Sequence, residues 1–174
     1  MLVAMAGLPG SGKSTIAELV GEARGKPIIS VDPIESSILR AGIDPDQPTG
    51  LAAYLVAETL VESVLRSGRG GLIVDAVNAV LPAREQWVRL AQQFNEPLVF
   101  IEVICSDPAV HRARLEARSR NIPHLTEPTW YAVEQSLDEY AEWTGPSAEV
   151  PRLTIDSVEP LEVSVERAIA FLKG

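Results

Sequence analysis

Sulfur is scarce in this chain, with Cys105 the single cysteine among 174 residues. No internal disulfide is possible, nothing demands an oxidising compartment, and the expected location is the cytoplasm. No run approaches the roughly 18 uninterrupted apolar residues of a membrane span, so no membrane partner is expected. The apolar opening Met1–Ala6 carries no basic residue and meets Gly7 at once, so it reads as a strand and not as an export signal. Basic residues are few: 15 Lys plus Arg stand against 24 Asp plus Glu, a formal charge of −9 with a pI near 4.7. Such a chain repels the backbone of a long nucleic acid, whose binding depends on clustered Lys and Arg. Four of the arginines (Arg112, Arg114, Arg118, Arg120) nevertheless fall within nine positions, a local positive patch.

What is present is an ordinary globular balance, 46% hydrophobic and 22% charged. No repeat, low-complexity tract or linker divides the chain, so residues 1–174 are expected to form one domain. Leu2–Ala6, Pro27–Val31, Leu72–Asp75, Pro97–Cys105 and Pro151–Asp156 are short apolar runs bounded by turn residues, which read as buried strands. Between them lie helical spacings. Ile16, Leu19, Val20 and Ala23 mark a helix that Gly25 ends, a brief helix covers about Ile34–Arg40, and Ala57, Leu60, Val61, Val64 and Leu65 mark a longer one. Pro82 opens a helix with a Trp87, Leu90, Ala91, Phe94 stripe, and Asp107-Pro108 caps the arginine helix. Trp130, Val133, Leu137 and Tyr140 mark another, and Leu161, Val165, Ala168, Ile169 and Leu172 the last. Strands alternating with helices imply an α/β fold, a parallel sheet with helices on both faces.

The motif with the most chemistry is Gly7-Leu8-Pro9-Gly10-Ser11-Gly12-Lys13-Ser14-Thr15, which matches G-x-x-x-x-G-K-[ST] between a strand and a helix. A chance match in a chain this size has a probability on the order of 1% at ordinary residue frequencies. Glycines let successive N–H groups turn inward around a phosphate, and the helix N-terminus adds partial positive charge. Lys13 is suited to the β- and γ-phosphates of ATP, and the Ser14 hydroxyl to Mg²⁺.

Absences narrow the use of this loop. No Asn-Lys-x-Asp reads guanine, and Asp75 is followed by Ala76, not by a glutamate that would activate water. Transfer to a bound acceptor stays open. Asp32, at the end of the second strand, can take the proton of an attacking hydroxyl or cap the helix that follows; Asp75, at the end of the third, can support the metal or cap, and Asn78 can share either role. Arg114 and Arg118 lie one helical turn apart, with Arg114 beside a Val110, Ala113, Ala117 stripe, and two guanidinium groups over the phosphates would neutralise charge on the transferring group. Arg112 pairs instead with Glu116 at i, i+4. Residues 119–128 are polar and suit a lid between helices expected over 108–118 and 129–143.

With these residues the chain resembles the small P-loop kinases of the nucleoside-monophosphate-kinase-like group, especially the short bacterial kinases related to gluconate kinase, adenylylsulfate kinase and the kinase domain of polynucleotide kinase. The resemblance rests on GLPGSGKST, SVD ending at Asp32, VDAVN from Val74 to Asn78 with Arg84 after it, the DPAVHRARLEARSR helix and the EYAEW segment. It implies a three-layer P-loop fold with sheet order 2-3-1-4-5, a lid after the fourth strand, ATP as donor and Mg²⁺ as cofactor. It also implies Asp32 as the carboxylate that activates an acceptor hydroxyl, and Arg114 or Arg118 as the lid arginine.

The acceptor region, residues 32–71, has only Arg40, Arg66 and Arg69 as basic residues, so a neutral or weakly charged hydroxyl compound fits better than a nucleotide. Asp32, Glu35, Arg40, Asn78 and Arg84 are the candidate acceptor contacts. Tyr54 and Trp130 read as core residues, Cys105 as a small buried hydrophobe, and His111 and His124 lack partners at metal-ligand spacing. The expected activity is transfer of the γ-phosphoryl group of ATP to a small hydroxylated molecule; the rival readings are a nucleic-acid or nucleotide end kinase and an ATP-binding regulatory module.

Overall fold

Leu2–Ala6 forms β1, and every one of its residues is buried, because strands flank it on both edges and helices cover both faces. A computed structural model describes residues 1–68, 70–118 and 122–173. Arg69 of the acceptor region, and Ser119, Arg120 and Asn121 of the expected lid, lie outside the described residues. The other strands are β2 (Ile28–Ser30), β3 (Ile73–Asp75), β4 (Leu98–Ile104) and β5 (Arg152–Asp156). All pair in parallel in the order β2-β3-β1-β4-β5.

The helices are α1 (Lys13–Arg24), α2 (Val31–Arg40), α3 (Thr49–Arg66), α4 (Leu81–Phe94), α5 (Pro108–Ala117), α6 (Trp130–Glu139), α7 (Gly145–Ala148) and α8 (Leu161–Phe171). Alternation along β1 sorts its side chains into two cores. Leu2 and Ala4 join Ala57, Val61, Trp87 and Phe100 on one face. Val3 and Met5 join Ile16, Val20, Ile101 and Ala168 on the other. The result is a three-layer α/β sandwich whose strand C-termini all open at one end. Among the described residues no helix is long and apolar enough to cross a membrane.

Several expected details shift. α2 begins at Val31, so Asp32 stands in its first helical turn and not at a strand end. The carboxylate there still complements the helix N-terminus. α6 stops at Glu139, short of the expected 143, and α7 follows. Ala113 and Ala117 are exposed, while His111 and Leu115 form the buried face of α5, so the expected stripe is out of phase by about half a turn. Cys105 lies beyond β4, half-buried, with its thiol toward the Asp107 carbonyl. Ala23 is exposed on α1.

Arg84 and Asn78 are structural, which corrects their expected role as acceptor contacts. Arg84 is fully buried; it donates to the carbonyls of Asn78 at 2.8 Å, Ala79 at 2.9 Å, Ala141 at 2.8 Å and Glu142 at 3.1 Å. Its guanidinium lies 4.0 Å from the Trp143 ring centroid and 4.9 Å from that of Tyr140. Asn78, also fully buried, donates to the Met5 carbonyl at 2.6 Å and accepts from the Trp87 indole at 3.0 Å. Neither presents a group to a ligand. Glu102, in the middle of β4, accepts from Tyr140, Trp143 and Thr154 at 3.1, 2.8 and 2.9 Å, and fastens the same segment to the sheet.

Removing Arg84 strands those carbonyls in the interior. Arg84→Ala is expected to lower unfolding stability by roughly 3–5 kcal/mol in urea titrations, and Arg84→Lys to recover little, because an ammonium cannot fork to separate carbonyls.

Candidate functional site

The sheet's open end is occupied by the glycine-rich loop. Gly7 has φ +138°, and a Cβ there would lie 2.3 Å from the Val103 carbonyl oxygen, so the loop leaves β1 pressed against β4 in a way only glycine permits. Gly7 also donates its N–H to the Val77 carbonyl at 2.9 Å, which ties the loop to the segment after β3. Leu8 points into a small core with Leu115 and Val133. The loop is thus clamped on both sides before it reaches the turn into α1.

At that turn Gly12 caps α1 in the left-handed region with no side-chain cap, so the first N–H groups of the helix are presented to a ligand. Lys13 opens the helix and is buried. A cavity of about 470 Å³ is lined by Gly10, Gly12, Lys13, Ser14 and Thr15, by Arg114 and Arg118, and by Ser157, Leu161 and Ser164, with Glu18 and Glu159 also in its wall. Arg114 donates to the Ser157 hydroxyl at 2.8 Å and to the Ser157 carbonyl at 2.9 Å, fixing the loop between β5 and α8.

His111 was without an evident role in sequence. It is buried, with Nε2 2.8 Å from the Pro9 carbonyl oxygen and its ring edge-on to Trp130 at 5.3 Å. A Cβ at Gly10 would meet His111 Cδ2 and Leu115 Cβ, both at 3.2 Å. α5, the helix that delivers the two arginines, is therefore seated directly on the phosphate loop.

A second cavity of about 180 Å³ shares Arg118 with the first, the residue standing in the wall of both. Pro9, Asp32, Glu35 and Val77 line it together with Ile122, Leu125, Glu127 and Pro128. Arg118 lies 3.8 Å from Asp32 and 3.5 Å from Glu127. Thr49 Oγ1 donates to Glu35 at 2.8 Å, and the Ser36 hydroxyl donates to the Pro123 carbonyl, which holds residues 122–128 onto α2. Arg40 is exposed at the last turn of α2 and lines neither cavity.

Asp75 ends β3, buried, and its Oδ2 accepts from Ser30 at 3.4 Å while Oδ1 has no hydrogen-bond partner among the described residues. A buried carboxylate oxygen left unpaired is costly unless a cation or its water shell completes it. Hard oxygen donors of this kind, with the Ser14 hydroxyl, fit Mg²⁺. Among the described residues no group of three or more His, Cys, Asp and Glu could hold a metal.

Burial pushes the Tyr54 phenol up to about 12, with the charges of Asp32 and Asp75 adding to the effect. Tyr54 accepts from the Asn78 N–H at 3.0 Å and packs against Trp87, as a core residue that supports the floor between the two carboxylates.

The family described as an AAA domain matches residues 2–142. No curated protein matches the chain. Among solved structures, a provisionally assigned kinase from Chloroflexus aurantiacus aligns with a TM-score of 0.79 at 19% identity, covering 99% of this chain and 96% of its own. A gluconokinase from Sinorhizobium meliloti aligns at 0.70 with 21% identity, over 99% and 91% of the two chains. A sugar kinase from Janibacter sp. aligns at 0.69 with 18% identity, over 98% and 93%. At such identities the likeness carries the fold.

Two outcomes follow from this geometry. Gly7→Ala is expected to weaken binding of a fluorescent ATP analogue by about 100-fold or to prevent folding, since the added methyl cannot clear the β4 carbonyl. The raised Tyr54 value makes its protonated form a source of stability that is fully present below pH 10 and lost as the pH climbs toward 12. Between pH 9 and 11 the wild type should therefore lose on the order of 1 kcal/mol more than Tyr54→Phe, read by urea unfolding.

Proposed function

The chain belongs to the AAA-domain family of P-loop proteins, and from that premise we propose that it is an ATP-dependent phosphotransferase acting on a hydroxyl of a small molecule. One observation carries the reading: a cavity built on the phosphate loop and a smaller cavity built on Asp32 share Arg118 as a common wall. A donor and an acceptor held on either side of one arginine are placed for direct transfer without passage through water. Gluconokinase and sugar kinase relatives of the same fold agree with a small-molecule acceptor.

In this reading the N–H groups of residues 10–15 and the Lys13 ammonium bind the triphosphate. Ser14 and Asp75 would hold Mg²⁺, which, when bound, neutralises charge on the phosphate oxygens. Asp32 accepts the proton of the acceptor hydroxyl as its oxygen bonds to the γ-phosphorus and the bond from phosphorus to the β–γ bridging oxygen breaks, so ADP leaves with that oxygen. Arg118, reaching both cavities, stabilises the charge spread over the transferring group. Arg114, committed to Ser157, holds the far wall of the nucleotide cavity. Of the two arginines expected over the phosphates, Arg118 is thus the finger. Residues 122–128 exclude water from the acceptor. The three carboxylates in the acceptor cavity, Asp32, Glu35 and Glu127, argue against a nucleic-acid end as acceptor, since a phosphodiester would meet negative charge there.

Lys13→Ala should abolish acceptor-dependent ADP release in a coupled assay. Asp32→Asn should retain ATP-analogue affinity within about threefold and lose about 100-fold or more in kcat; unimpaired turnover in that variant would place the base elsewhere.

A further inference from the structure

The acceptor cavity has an unusual charge for its neighbourhood. Three carboxylates, Asp32, Glu35 and Glu127, face a space of about 180 Å³, and among the described residues Arg118 is the only cation in its wall. Counting also Arg120, the one basic residue in the adjoining segment 119–121, leaves the carboxylates in excess. The rest of the lining is apolar or uncharged: Pro9, Val77, Ile122, Leu125, Thr126 and Pro128. A low-dielectric wall strengthens the field of such an excess.

The three acids are not equivalent. Asp32 and Glu127 flank Arg118, at 3.8 and 3.5 Å, so their charge is in part answered there. Among the described residues Glu35 has no basic neighbour at ion-pair distance; it accepts a neutral hydrogen bond from Thr49 Oγ1 at 2.8 Å. That bond fixes one oxygen of Glu35 and leaves its full charge facing the cavity. When Arg118 turns to a γ-phosphate, the negative excess on the acceptor side grows. With Arg118 engaged by the nucleotide, an acceptor bearing a carboxylate or phosphate would meet no other cation among the described residues of this wall and would be repelled by its carboxylates.

We propose that the acceptor is a hydroxylated amine, bound with its ammonium group toward Glu35 and Glu127 and its hydroxyl at Asp32. The inference rests on the phosphotransfer reading above and concerns the ligand class of the same cavity. An ammonium at this position restores the charge balance that Arg118 gives up to the nucleotide, so the amine and ATP bind with mutual support.

The test uses three six-carbon chains that differ at one end only: glucamine carries an ammonium, sorbitol a hydroxyl and gluconate a carboxylate. Each is offered to the purified full chain with ATP and Mg²⁺, with ADP release followed in a coupled assay, and binding is followed by calorimetry in the presence of a non-hydrolysable ATP analogue that keeps the γ-phosphate. The expected order of affinity is glucamine over sorbitol by about 10-fold and over gluconate by about 100-fold, the scale that one desolvated charge pair supplies. Glu35→Gln should reduce the ratio of glucamine to sorbitol affinity about 10-fold, and Glu35→Asp should keep most of it, which separates charge from packing. Equal or better binding of sorbitol or gluconate, or no binding of glucamine at millimolar concentration, overturns the proposal while leaving phosphotransfer standing. Selective binding of glucamine with no ADP release from it or from any alcohol tested would retain the amine site and remove the phosphotransfer reading.

Discussion

Everything at the open end of the sheet depends on one steric constraint, the contact of Gly7 with β4. The loop can follow β1 without a gap only because no side chain separates the Gly7 backbone from the Val103 carbonyl. From there the Gly7 N–H is held by Val77, Leu8 is sunk into a core shared with α5 and α6, and the Pro9 carbonyl faces His111. The loop's backbone is thus held by fixed contacts on both sides, which is the preorganisation that electrostatic stabilisation of a developing charge would require. A floppy loop with the same residues would have to be ordered at the ligand's expense.

The same contacts connect the loop to the arginines. α5 is seated on Pro9 and Gly10 through His111 and Leu115, and it ends where Arg118 enters both cavities. Asp107 starts this helix by accepting from the N–H groups of Ala109 and Val110 at 2.8 and 3.1 Å, so its position is fixed at both ends. Behind it, Glu102 and Arg84 tie the segment after α6 to the sheet and to the start of α4. Buried charge is used here to position backbone: each ion is surrounded by hydrogen-bond partners, which offsets its desolvation.

Much of the fold was legible because its signals are local. The five apolar runs, the glycine at the end of α1 and the Asp-Pro start of α5 each reflect a period or a cap that a few neighbouring residues define. Legibility failed where a residue's partners are distant in sequence. The helix phase of α5 was misread because alanines signal neither face, and the burial of His111 comes from Pro9, about a hundred residues away. Arg84 follows the VDAVN motif closely and so reads as a candidate acceptor contact; two of the carbonyls it serves lie on a segment more than fifty residues downstream. Asp32 was placed at a strand end because Pro33 reads as a stop, although proline is well tolerated in a helix's first turn.

By itself the sequence determined the phosphate loop, the alternation of strands and helices, and the residue types able to move a proton or hold a phosphate. Those follow from backbone geometry and short spacings, which the order of residues contains in full. Only the tertiary structure decided which of those residues share a cavity. It withdrew Asn78 and Arg84 into the interior, committed Arg114 to Ser157, and put Arg118 in the walls of both the cavity on the glycine-rich loop and the smaller cavity that holds three carboxylates. The physical reason is that an electrostatic site depends on distances through space. Residues 32, 35, 118 and 127 become neighbours only when α2 and the end of α5 converge at the open edge of one parallel sheet.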